Sequence, residues 1–198
     1  MRVVTLDDAG EADGQPLFIE FVNTLHWYEG MPIEVIGTDS DYAAWLTEHH
    51  LPANDVIGQL PHVHRLREHV RAVIIALVGR STLPDADLAA LEAALSAPTG
   101  NLTLVDADRP RPHLGFATQA PDKRLFSFRV ALSLALFLLS SQRPRLKLCA
   151  NPECGFAFVD TSTNATRRWC DMRYCGNRLK VRAFRSRQRP ARSVDTPV

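Results

Sequence analysis

Four cysteines fall within 27 residues of this chain: Cys149, Cys154, Cys170 and Cys175. Their spacing is C-x4-C, then fifteen residues, then C-x4-C. Two close pairs across a short loop can place four thiolates around one ion, and Zn2+ prefers tetrahedral sulfur at about 2.3 Å. A full set of four cysteines leaves no open coordination position, so one such zinc would be structural rather than catalytic. Pro152-Glu153-Cys154-Gly155 reads as a metal knuckle, Phe156, Phe158 and Val159 as a short strand, and Cys175-Gly176-Asn177 as the lead into a charged helix. Knuckle, hairpin and helix together describe a treble-clef-like finger. Separate buried thiols, an iron–sulfur cluster or a redox-switched zinc would use the same residue type. The paired spacing favours structural zinc.

The segment after Cys175 could do a second kind of chemistry. On a helix at about 100° per residue, Arg178, Arg182, Arg185 and Arg189 fall within roughly 60° of one another. They form a stripe about 16 Å long at about 1.5 Å per residue. Leu179, Val181, Ala183 and Phe184 lie elsewhere on the wheel and are expected to pack on the zinc module. No acidic residue accompanies the stripe, whereas a merely solvated helix would mix signs for i, i+4 pairing. Phosphate is the natural partner, because arginine binds it bidentately. Arg167, Arg168 and Lys180 join the stripe as expected nucleic-acid contacts, with Arg173 adding charge nearby. Two other readings stay open: the stripe docks on the acidic N-terminal domain of the same chain or of a partner subunit, or it is a solvated tail. RNA is a further option, with Trp169 and Tyr174 stacking on unpaired bases.

Charge is divided along the chain. The 198 residues carry a net charge of +1. Residues 1–140 hold 10 Lys+Arg against 18 Asp+Glu, a net of −8, and residues 141–198 hold 13 against 4, a net of +9. A basic segment on an acidic body points to a polyanion partner. Composition is that of a folded protein, 45% hydrophobic and 23% charged. Acidic residues follow Met1-Arg2 too soon for a signal peptide. The most apolar run, Val130 to Leu139, has ten residues, while a membrane span needs about 20. A cytoplasmic location without a membrane is therefore expected, and in that reducing compartment thiols serve metals rather than disulfides. No GxSxG, Walker loop, GxGxxG after a strand or HExxH is present, so no enzyme is expected.

These groups must be positioned by the rest of the chain. Residues 1–15 read as a short strand or loose arm, and Leu17 to His26 as a short buried helix. Thr38 or Asp39 caps a helix carrying Tyr42, Trp45 and Leu46. Pro61 opens a long amphipathic helix with Val63, Leu66, Val70, Val73, Ile74 and Leu77 on its apolar face. A helix from about Pro84 to Ser96 follows, then a β-hairpin of Leu102 to Val105 with Leu114 to Phe116. Lys123 to Gln142 is apolar almost all round and should be the buried centre. Asn23, Thr24, His26 and Trp27 could line a small-molecule pocket, or they could simply close a helix. His49, His50, His62, His64 and His69 show no two-His-plus-acid set and read as surface residues.

Arg167-Arg168-Trp169-Cys170, Cys175-Gly176-Asn177-Arg178, Cys149 to Gly155 and Val159 to Ser162 together resemble the CGNR zinc-finger family. Phe21-Val22-Asn23-Thr24 is similar to the ABATE domain that accompanies this finger. The resemblance implies a stress-induced bacterial transcription regulator with a DNA-binding finger, and it implies Cys149, Cys154, Cys170 and Cys175 as ligands of one zinc. The expected architecture is α+β and mostly α: a helical domain with a small hairpin over 1–143, a zinc finger with its basic helix over 144–190, and a tail over 191–198. The helical domain would sense a small-molecule signal or form a homodimer. A zinc-stabilised protein-interaction module and an RNA-binding protein are the alternatives.

Overall fold

The computed structural model describes residues 2–5, 14–53, 56–96, 100–105, 113–118 and 124–188. Arg2–Thr5 is a strand, β1. Helix α1, Leu17–Val22, is short because Asn23 and Thr24 turn the chain into a hairpin of β2, Leu25–Tyr28, and β3, Met31–Glu34. His26 and Trp27, expected at the end of a helix, therefore stand on a strand. The two-residue turn at Glu29-Gly30 has φ of 54° and 80°. Positive φ at both positions suits the right-handed twist of the flanking strands, and glycine accepts it without strain.

Helix α2, Asp39–Glu48, starts at a capping box: Thr38 Oγ1 accepts from the Asp41 N–H, and Asp41 accepts from the Thr38 N–H. Helix α3, Leu60–Gly79, carries proline in its first turn and stops at Arg80, which takes the left-handed conformation. Helix α4, Asp85–Leu95, leads to β4, Gly100–Val105, and β5, His113–Thr118. These two strands form the expected antiparallel hairpin, and β1 adds on the other side of β5 to give the order β1-β5-β4. Helix α5, Leu125–Leu139, packs against α1, α3 and α4. Phe18, Ile19 and Phe21 of α1 are fully buried between these helices.

The chain then forms β6, Leu146–Leu148, and β7, Ala157–Val159, an antiparallel pair whose connection is the cysteine knuckle. The strands flank the knuckle, where the sequence placed a strand only after it. Leu146, Ala157 and Val159 belong to the same buried cluster as α1, α3 and α5. Helix α6, Asn177–Gln188, follows the last cysteine. Arg189 and the tail 191–198 lie outside the described residues.

Side chains of the helical domain complete the outer edge of β7. Asn23 Nδ2 donates to the Ala157 carbonyl and Asn23 Oδ1 accepts from the Ala157 N–H, both at 2.9 Å. Gln15 does the same for Val159, at 3.3 and 2.7 Å. Two side-chain amides thus replace a neighbouring strand for alternate residues of a sheet edge, which would otherwise need water or another chain. Helix α3 holds the other side of the junction through two residues one turn apart. Arg67, 2% exposed, pairs with both carboxylate oxygens of Glu34 on β3 and donates to Thr24 Oγ1 at 2.9 Å. Arg71 donates to the carbonyls of Val22, Leu25 and, at 3.1 Å, Gly155 of the knuckle.

Two substitutions measure this junction. Asn23→Ala leaves the Ala157 N–H and carbonyl without protein partners, which should cost about 2 kcal/mol. For a chain of this size that corresponds to a fall of about 4–8 °C in Tm, read by thermal denaturation. Gly155 has φ +71°, and a Cβ there would lie 2.5 Å from Trp27 Cε3. Gly155→Ala should therefore cost about 1–3 kcal/mol by overpacking and strain, and its denaturant midpoint should fall accordingly.

Candidate metal centre and the surface beside it

The four cysteine sulfurs lie within 4.8 Å of one another. Cys154 Sγ is 3.5 Å and Cys175 Sγ 3.6 Å from Cys170 Sγ. A tetrahedron with Zn–S bonds of about 2.3 Å has edges of about 3.8 Å, so the cluster has the size of the site. Its electrostatics agree. Hydrogen bonds from Cys154 and Cys170 pull the Cys149 thiol down to about 2. The contact with Cys149 pushes Cys154 up to about 12 and raises Cys170 as well. A thiolate is favoured at Cys149, and its neighbours Cys154 and Cys170 are held as thiols beside it. These four residues could hold one zinc ion, and they are the only such group of metal-binding side chains among the described residues.

Backbone bonds place the first pair of cysteines. The Cys149 N–H donates to the Phe156 carbonyl at 2.8 Å and the Cys154 N–H to that of Asn151 at 3.0 Å, which closes the knuckle. Asn151, 1% exposed, donates from Nδ2 to Cys175 Sγ at 3.6 Å and ties the two pairs together. On the second pair, Asp171 Oδ1 accepts from the N–H groups of Arg173 and Tyr174 and starts a π-type turn, Met172–Gly176. A Cβ at Gly176 would meet Met172 Sδ, so a larger residue after the last cysteine would displace that half-exposed methionine side chain. The loop before Cys170 hangs on Asp160, which is fully buried. Burial raises that carboxyl, but donors from Lys147, Ser162 and the Arg167 backbone outweigh it and hold the group well below the usual carboxylate range.

The arginines separate into several environments. Arg167 lies over the Phe158 ring at 4.9 Å and donates to the Trp169 carbonyl, so its charge is held inside the finger. Arg168 is exposed beside Trp169. Arg178 stacks on the Tyr28 ring at 4.2 Å. Arg182, 53% exposed, forms a two-point pair with Glu153, 2.9 Å for each bond, which holds the Glu153 carboxyl below its ordinary range. Lys180 and Arg185 are exposed. Arg173, Arg178, Arg182 and Arg185 line one groove of about 890 Å³, together with Glu29 and Glu153. Val181 and Phe184 do not pack on the zinc module: they are 47% and 55% exposed. The helix projects from the finger, and the underlying residues are too few to cover it. Tyr28 and Glu153, partners of the two central arginines, are missed by sequence reasoning because both contacts join distant parts of the chain.

Asn23, His26 and Trp27 line a cavity of about 540 Å³ between the helical domain and the finger. Asn23 is already engaged with β7, and His26 lies against Phe156, with ring centroids 4.7 Å apart. Thr24 is not in that lining; it is buried, and it donates to the Phe21 carbonyl at 2.7 Å. His49, expected at the surface, is 8% exposed and stacks on Trp45 with centroids 4.0 Å apart. No described helix is long and apolar enough to cross a membrane.

Residues 145–188 match the CGNR zinc finger. Residues 15–142 match ABATE, whose description is "Putative stress-induced transcription regulator". No curated protein matches the chain. The cysteine cluster and its supports lie wholly within the first of these matches, and most of the seat on which they rest lies within the second. The chain belongs to the ABATE family and carries a CGNR zinc finger.

Proposed function

We propose that this chain is a zinc-dependent, DNA-binding transcription regulator acting in a stress response. The observation that carries the reading is the groove in which Arg173, Arg178, Arg182 and Arg185 converge beside the cysteine cluster. Zinc would neutralise the crowded thiolates and fix the turn that launches α6. The exposed guanidinium groups would then meet DNA phosphates, giving affinity and orientation rather than sequence choice. Arg168 and Lys180, both exposed, would extend the same basic surface, while Arg167 supports it from inside; Arg189 is proposed as a further contact from its sequence position alone. The ABATE domain would receive the signal, with the cavity beside Asn23, His26 and Trp27 as its place, or would join two copies so that two helices act together.

A second reading, a docking module for another protein, draws on the apolar groups exposed among the arginines: Val181, Phe184 and Tyr174, the last 64% exposed. Docking on the chain's own acidic domain is opposed by Arg182, which pairs within the finger, and favoured by Arg178, which lies over Tyr28 of that domain. Tyr174 is equally the residue on which an RNA reading would rest.

Two measurements test the proposal. In a salt series with duplex DNA, the wild type should show a steep dependence of affinity on salt. Arg178→Ala/Arg182→Ala/Arg185→Ala should flatten the slope by about 0.9 for each phosphate no longer neutralised. An unchanged slope, or no binding at low salt, favours protein docking, and preference for single-stranded RNA favours the third reading. Metal removal is the second test. Structural zinc contributes directly to folding, so a chelator should melt the cysteine turns and α6 and abolish DNA binding. The helical domain should still unfold cooperatively in circular dichroism, since its apolar cluster is built mainly from α1, α3 and α5. Full-affinity binding by the metal-free chain would sink the mechanism.

A further inference from the structure

We infer that the β2–β3 hairpin of the ABATE domain is the second wall of the nucleic-acid groove, and that Tyr28 is a positioning residue that sets Arg178 for a phosphate. This rests on the function proposed above and deepens it. The groove is bounded on one side by α6 and the turn before it, and on the other by Glu29, the first residue of the hairpin turn. Tyr28 precedes it on β2, is 50% exposed, and carries the Arg178 guanidinium 4.2 Å from its ring centroid.

The chemistry of that contact matters. A guanidinium stacked on an aromatic face is held by its plane, and its N–H donors lie along the edge. Stacking therefore restricts the rotamers of Arg178 without using a donor. Arg182 differs: two of its donors already serve Glu153. Arg178 is thus the arginine of the stripe that is both oriented and open to a bidentate acceptor.

The hairpin is also anchored where it needs to be. The Trp27 N–H donates to the Cys154 carbonyl at 3.0 Å, and Arg71 binds the carbonyls of both Leu25 and Gly155. Tyr28 is consequently one residue from a strand-like bond to a metal-ligand residue. Its distance to α6 is set by the same knuckle that holds the first cysteine pair. Four guanidinium groups against Glu29, Glu153 and the Asp171 carboxylate that pairs with Arg173 at 3.2 Å leave the groove with an excess of one positive charge. That balance suits the phosphodiester backbone of a nucleic acid.

The test uses the full zinc-loaded chain, a labelled DNA duplex and a salt series. Tyr28→Phe keeps the ring and should bind within about twofold of wild type, since the stacked face is retained. Tyr28→Ala should weaken binding about two- to fivefold, the loss expected for an exposed cation–π contact. Its salt slope should stay at the wild-type value, because Arg178 is still present. Arg178→Ala should lower the slope by about 0.9. In a double-mutant cycle, Tyr28→Ala should have no effect on the Arg178→Ala background. Zinc content and Tm of each variant, measured alongside, separate positioning from loss of fold. The inference is overturned if the wild type binds DNA and Tyr28→Ala binds equally well, or if Tyr28→Ala still weakens binding once Arg178 is gone. It also falls if poly-glutamate displaces the duplex at equal concentration of charge, because the groove would then take an acidic polypeptide. If the wild type binds no DNA at low salt, the underlying function itself falls.

Discussion

A pair of three-residue strands cannot hold a metal knuckle in place alone. An isolated two-stranded hairpin is marginal in water, and its outer edges expose unpaired backbone groups. In this chain the edge of β7 is satisfied by two side-chain amides from the helical domain, Asn23 and Gln15, each serving the N–H and carbonyl of one residue. Leu146, Ala157 and Val159 complete the support by entering the main apolar cluster. Without that pairing, the cysteine sulfurs would have no fixed frame. The placement of α6 and its arginines follows from the frame in turn.

Electrostatics runs through the same junction. The buried guanidinium of Arg67 is matched by Glu34 and Thr24, as a buried charge requires. Arg71, one turn further along α3, spends its donors on backbone carbonyls at the end of α1, in β2 and in the knuckle. Asp160 plays the corresponding part within the finger, gathering Lys147, Ser162 and the Arg167 backbone around one carboxylate. These groups are charged because each must draw several polar partners to one point. An apolar residue of similar size could fill the space but could not orient the loops.

Much of this was legible in the sequence, for identifiable reasons. Helices α2 to α5 announce themselves through caps, proline and apolar periodicity, all carried by residues near in sequence. The cysteine cluster is legible because ligand chemistry restricts both residue type and spacing. The β2–β3 hairpin is not, since Phe18, Phe21, Val22 and Leu25 continue a helical rhythm past the point where the chain turns. Nor is β6, whose three residues are too few to show alternation. The partners of Arg178 and Arg182 are beyond reach for another reason. Tyr28 and Glu153 lie 150 and 29 positions away, and nothing local marks either as a contact. Asn23 stands between these cases: its side chain invites a role, but that role depends on a strand more than a hundred residues later.

The close approach of Trp27 to Gly155 has a consequence for the history of such proteins. A zinc finger is commonly treated as a portable part, joined to one partner domain or another by a linker. Here the indole ring occupies the space where any larger residue at 155 would put its first carbon. The finger and the domain that seats it can therefore change at this point only together. A finger transplanted onto a foreign body would bring its cysteines with it and leave behind the surface that shapes it.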